Sequence, residues 1–140
     1  MAEEIELKFM VHDYRQIAQK ILKLGRFVKS AHELTVMYDN ADKTLFRDDA
    51  RLRLRRIIDL KDKKEGCELT YKKPKTREGV KIEEEYEVNV SSFKEAETIL
   101  EKIGYTRVSS YERLRDTFDI DQCKITLDSF SFGDLLEIEG

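Results

Sequence analysis

Charged and apolar residues alternate one for one along much of this chain, the period of a strand with one polar and one dry face. Glu4-Ile5-Glu6-Leu7-Lys8-Phe9-Met10, Arg51-Leu52-Arg53-Leu54-Arg55, Tyr86-Glu87-Val88-Asn89-Val90 and Leu135-Leu136-Glu137-Ile138-Glu139 all follow this rule. Four more strands are expected at about 26–38, 66–73, 106–118 and 122–130, which makes eight. Two helices interrupt them. The first, about 12–24, places Ile17, Ile21 and Leu24 on one face and stops at Gly25. The second starts at Ser92, with Glu95 as its capping-box partner, turns Ala96, Ile99, Leu100 and Ile103 inward and stops at Gly104. Both glycines are expected to be left-handed helix ends.

The halves echo each other. The offset that carries Gly25 onto Gly104 also carries Glu4 onto Glu83 and Glu6 onto Glu85. A unit of strand, helix, glycine and long strand used twice predicts a pseudo-twofold architecture. Hairpin loops are expected at Lys61–Gly66 and Lys73–Gly79. Asp39-Asn40-Ala41-Asp42 lacks the glycine and spacing of a calcium loop and is expected to be a turn.

Alternation also sorts the charges. One face collects Glu4, Glu6, Lys8, Arg51, Arg53, Arg55, Lys72, Glu83, Glu85 and Glu87, then Arg113, Arg115, Lys124, Asp128, Glu137 and Glu139. An open antiparallel sheet could leave such a face in water. Against that, Arg-x-Arg and Glu-x-Glu recur, and like charges at i and i+2 repel unless a counter-ion lies between them. Two helices are also few to protect the edges of eight strands. Arg-x-Arg offers planar donor forks to phosphate oxygens, and Glu-x-Glu offers hard oxygen ligands to Mg²⁺ or Mn²⁺. Closing the sheet with this face inward would build a polar lumen for a polyanion and a metal.

Composition narrows the classes. Charged residues make up 39% of the 140-residue chain, yet 26 Lys+Arg against 29 Asp+Glu leave a net charge of only −3. That balance disfavours a nucleic-acid binder. Length fits one domain, 1–140. No apolar run is long enough for a membrane helix, the N-terminus is acidic, and Cys67 and Cys123 fit no metal spacing. A cytoplasmic, reducing location is expected.

Glu4-Ile5-Glu6-Leu7-Lys8 resembles the Glu-x-Glu-x-Lys opening of the CYTH superfamily, the triphosphate tunnel metalloenzymes. Tyr38-Asp39-Asn40 resembles that family's Tyr-Asp-Thr turn, Leu52-Arg53-Leu54-Arg55 its Leu-Arg-x-Arg strand, and Leu69-Thr70-Tyr71-Lys72-Lys73-Pro74 its Leu-Thr-Tyr-Lys-x-Pro. Glu84-Glu85-Tyr86-Glu87-Val88, Arg113-Leu114-Arg115, Leu127-Asp128 and Gly133-Asp134-Leu135-Leu136-Glu137-Ile138-Glu139 follow in order. The resemblance implies an α+β protein, a closed eight-stranded antiparallel tunnel with a charged lumen and helices outside. It implies triphosphate binding by Lys8, Arg53, Arg55, Lys72, Arg113 and Arg115, with Lys124 on the same face at the rim. It implies Mg²⁺ or Mn²⁺ binding by Glu4, Glu6, Asp128, Glu137 and Glu139. Lys8, Glu85 and Glu87 are the catalytic candidates, the two glutamates near a second ion.

Three functions stay open on this ground. One is a metal-dependent triphosphatase acting on tripolyphosphate, thiamine triphosphate or a nucleoside triphosphate; another is a class IV adenylate cyclase making cyclic AMP from ATP; the third is a non-catalytic polyphosphate-binding module. The expected partner is a small triphosphate, with neither nucleic acid nor membrane, and a homodimer is left open. Some family triphosphatases resemble one another in a tyrosine two residues before the turn aspartate, where this chain has Met37. Many members also continue into a C-terminal helix. His12 and His32 are expected to be structural or solvated, and Tyr14, Tyr105 and Tyr111 to pack outside the sheet.

Overall fold

The computed structural model describes residues 2–140; the side chains of Ala2, Glu3, Glu4, Thr76, Arg77 and Lys81 lie outside the described residues. Eight strands form, β1 (Ala2–Val11), β2 (Arg26–Asp39), β3 (Arg51–Asp59), β4 (Glu65–Arg77), β5 (Val80–Asn89), β6 (Thr106–Ile120), β7 (Cys123–Phe130) and β8 (Gly133–Glu139). Helix α1 (Tyr14–Leu24) joins β1 to β2, the short α2 (Thr44–Arg47) lies between β2 and β3, and α3 (Phe93–Lys102) joins β5 to β6. Every pairing is antiparallel, and the order β1-β5-β4-β3-β2-β6-β7-β8 closes because β8 returns to β1. Exchanging β1 with β5, β2 with β6, β3 with β7 and β4 with β8 maps this ring onto itself. The repeat in the sequence is therefore a repeat in the fold.

The dry cores lie outside the ring. Val36, Tyr38, Leu54 and Cys67 pack with Leu100, Phe93 and Ala96 at α3. Phe118, Ile125 and Leu127 pack with Ile21, Ile17 and Tyr14 of α1. Both helices start as their sequences dictate: Asp13 accepts the Gln16 N–H at 3.1 Å, and Ser92 accepts the Glu95 N–H at 3.1 Å.

Four expectations need correction. Gly25 is extended (φ −149°), unlike Gly104 (φ 98°). What demands glycine at 25 is space, since a Cβ there would lie 2.3 Å from the Asp119 carbonyl oxygen and 2.4 Å from Ile120. The 73–79 loop shrinks to a turn at 78–79, because β4 runs on through Pro74. Beyond the Arg51–Lys72 pair β3 has ended, so Pro74 breaks no ladder bond on that side. Helix α2 is a third helix where two were expected, and it follows the turn expected at Asp39–Asp42. Tyr111 points into the ring, not onto its outside.

Candidate functional site

Closure turns the charged face inward. Of the residues lining the central lumen cavity of about 70 Å³, seven are cationic (Lys8, Arg51, Arg53, Arg55, Lys72, Arg113 and Arg115) and three are carboxylates (Glu6, Glu137 and Glu139). Tyr111 completes the lining. Buried charge of this density is costly unless it is paired, and most of it is paired from behind.

Asp128 is fully buried and accepts from Arg115 Nε and Nη2 at 2.6 and 2.7 Å, a bidentate fork. Glu33 accepts from Arg113 Nε at 2.8 Å and lies 3.7 Å from Arg55 Nε. Arg55 donates to Thr35 Oγ1 at 2.8 Å and to the Tyr111 phenol at 3.2 Å. Arg51 pairs with Glu83, and Lys72 Nζ is 3.7 Å from both Glu83 and Glu85. Arg53 differs. It makes no ion pair among the described residues, and its buried Nε has no hydrogen-bond partner.

The charges tune one another. Burial alone would push the Glu33 carboxyl up, but Arg113, Arg115 and Arg55 outweigh it and hold the group below the ordinary carboxylate value. Burial also opposes ionisation of Tyr111, and Arg55 and Arg113 again win, so the phenol sits below the usual tyrosine value. Glu137 goes the other way: burial, reinforced by Glu6, raises it against the pull of Arg115 and Lys8. Because the folded Glu33 value is depressed, its contribution to stability is present above the unfolded carboxylate range and lost as pH falls through the folded value. Wild-type melting temperature should therefore drop as pH falls below about 4.5, and Glu33→Gln should flatten that acid limb while lowering the neutral plateau, as read by circular dichroism. An unchanged acid limb would refute this role for Glu33.

The structure divides the expected metal set. Glu6, Glu137 and Glu139 each offer a carboxylate oxygen, all within 4.8 Å of one another. Lys8 Nζ stands beside them, 3.3 Å from Glu6 and 3.9 Å from Glu137. Three hard oxygen donors at one point suit Mg²⁺ or Mn²⁺. Asp128 belongs instead with the arginines, its oxygens held by Arg115 and Arg113. The Glu4 side chain lies outside the described residues. Glu85 and Glu87 lie in an adjoining cavity of about 320 Å³ with Glu33, Glu68 and Lys124. There Glu87 accepts from Thr70 at 2.9 Å, and half-exposed Lys124 pairs with Glu139 at 3.5 Å.

Two lumen residues went unnoticed in the strand patterns. Tyr111 has the parity of Arg113 and Arg115 on β6, one alternation beyond that motif, whereas Glu33 shares the parity of Thr35 on β2, a stretch that no motif marks.

A family model described as the CYTH domain matches residues 2–140. A protein of Methanocaldococcus jannaschii named "Putative adenylate cyclase MJ0240" is 25% identical over 138 residues, covering 97% of this chain and 75% of that one. The solved PH1819 protein of Pyrococcus horikoshii superposes with a TM-score of 0.86 at 25% identity, over 97% of this chain and 76% of its own. A Hippeastrum protein, whose structure report names an adenylyl cyclase with dominant triphosphatase activity, shares the fold at a TM-score of 0.71 and 19% identity, over 99% and 78% of the two chains. With the motifs in order and the ring closed around them, this chain belongs to the CYTH domain family.

Proposed function

We propose that this is a cytoplasmic, divalent-metal-dependent triphosphatase that draws a triphosphate into the lumen and hydrolyses a terminal phosphate. The observation that carries the reading is Arg53, a partly buried guanidinium in a crowd of cations whose buried Nε has no hydrogen-bond partner. A buried donor left without a partner is costly unless a ligand completes it, and the Arg53 fork fits phosphate oxygens. Arg55, Lys72, Arg113 and Arg115 surround it and would stabilise the transferring group. Mg²⁺ or Mn²⁺ held by Glu6, Glu137 and Glu139 would neutralise phosphate charge and polarise the reacting centre. Lys8 would orient the phosphate nearest that cluster. Tyr111, whose ionisation Arg55 and Arg113 favour, is the group we assign to take a proton where Met37 cannot. Glu85 and Glu87, lower in the ring, would hold a second ion or position water.

Cyclisation of ATP is the second reading. The name of the archaeal relative favours it, and the shared lumen grip serves either reaction. The purified protein, given Mg²⁺ or Mn²⁺, should release phosphate from at least one of tripolyphosphate, thiamine triphosphate and ATP. Cyclic AMP as the main product from ATP would replace hydrolysis with cyclisation. Tight binding with no turnover of any of the three would make the chain a binding module.

A further inference from the structure

We propose that the Thr126 hydroxyl positions the divalent ion, hydrogen-bonding Glu137 and a water of the ion's hydration shell; this rests on Glu6, Glu137 and Glu139 holding that ion. Lys124, Thr126 and Asp128 share the inward parity of β7. Two of them have partners: Lys124 Nζ lies 3.5 Å from Glu139, and Asp128 takes both forks of Arg115. Thr126, between them, is 1% exposed, and its Oγ1 has no hydrogen-bond partner among the described residues. Its neighbours across the ladder are Thr117 on β6 and Glu137 on β8. The hydroxyl is therefore sealed in the wall of the ring, directly across from a carboxylate of the acidic cluster.

Equally buried threonines of the same ring are not left alone. Thr35 Oγ1 accepts from Arg55 Nε at 2.8 Å, and Thr70 Oγ1 donates to Glu87 at 2.9 Å. A buried hydroxyl with no partner disfavours folding, and valine would fill nearly the same space without that cost. A buried group left in this state calls for a partner that the protein itself does not provide. Glu137 does not provide it here: its oxygens stand 3.4 Å from Arg115, 3.9 Å from Lys8 and 4.0 Å from Arg113.

The chemistry of a hydrated ion explains why a hydroxyl suits this position. Mg²⁺ gives up its waters reluctantly and keeps several when only a few carboxylates bind it. Each such water is a hydrogen-bond donor in need of an acceptor. Lys8, Arg113 and Arg115, the cations around Glu137, can only donate. A hydroxyl does what they cannot, accepting from a water while it donates its own proton to a carboxylate. Groups that hydrogen-bond a ligating carboxylate fix its orientation, and losing one weakens metal binding by about ten- to a hundredfold.

Titration of the full chain with Mn²⁺ in the absence of triphosphate, read from the electron paramagnetic resonance of the free ion, tests this. Thr126→Val should weaken Mn²⁺ about tenfold, and Thr126→Ser should stay within about threefold of wild type. Melting curves without metal give a second readout. Thr126→Val should melt at or above the wild-type temperature, because it removes only an unsatisfied hydroxyl. Mn²⁺ binding by Thr126→Val within about twofold of wild type, or Thr126→Ser as weak as Thr126→Val, would overturn the role of the hydroxyl while leaving the carboxylate cluster intact. So would a metal-free Thr126→Val that melts well below wild type, since the hydroxyl would then be satisfied without the ion. Wild-type protein that binds no Mn²⁺, or binding that Glu139→Gln leaves unchanged, would overturn the cluster and the hydroxyl together.

Discussion

Arg53→Ala should abolish most triphosphate turnover while leaving the protein as stable as before, or more so. Two facts about the same side chain drive these opposite effects. In the lumen Arg53 stands among Arg51, Arg55 and Lys72, makes no ion pair among the described residues and leaves its buried Nε unsatisfied. Removing it takes away repulsion and an orphaned donor, each unfavourable to folding. With a triphosphate present, the same guanidinium is the one most free to hydrogen-bond it. Loss of a single preorganised donor in an anionic transition state lowers kcat about 10²- to 10³-fold. Steady-state kinetics and a thermal melt on one preparation check both halves. Retained turnover together with a melting temperature lowered by several degrees would show that Arg53 is structural and that the grip lies elsewhere.

The closed ring was legible because its signal is redundant. Seven of the eight strands, all but β2, carry charged residues on one parity, and the repeat fixes which strands are equivalent. The lumen identity of Arg53, Arg55, Lys72, Arg113 and Arg115 followed from parity alone. Other features depend on distances that no local pattern encodes. Asp128 sits on the inward parity, as expected, but whether its oxygens meet a metal or a guanidinium depends on β7 lying beside β6 in the register Arg115↔Asp128. Gly25 reads as a helix stop, yet its requirement comes from the backbone of Asp119, far along the chain. The bulge that leaves Val108 unpaired on β6 comes from a register shift between Met37 and Tyr38, and alternation carries no warning of it. Tyr111 was misplaced for the opposite reason. An aromatic residue is ordinarily given to a dry core, and here parity should have overruled that preference.

Asp128→Ala separates structural carboxylates from those proposed for metal. Asp128 is 0% exposed and satisfies both forks of Arg115 while lying 3.5 Å from Arg113 Nη1. Deleting it leaves two buried guanidiniums short of their counter-charge, the situation in which breaking a buried pair costs about 3–5 kcal/mol. For a domain of this size that corresponds to a melting temperature lower by roughly 10 °C or more. Glu33 cannot absorb the loss, since it already accepts from Arg113 and lies 4.0 Å from Arg115 Nε. Glu139→Gln is the matched comparison: Glu139 is only partly buried, and its carboxylate belongs to the acidic cluster. That variant should melt close to wild type without metal and lose most of the stabilisation that added Mn²⁺ gives the wild-type protein. If Asp128→Ala instead melts like wild type and loses the Mn²⁺ response, Asp128 is a metal ligand after all, and Arg115 must find its counter-charge in Glu137, 3.4 Å from its Nη2.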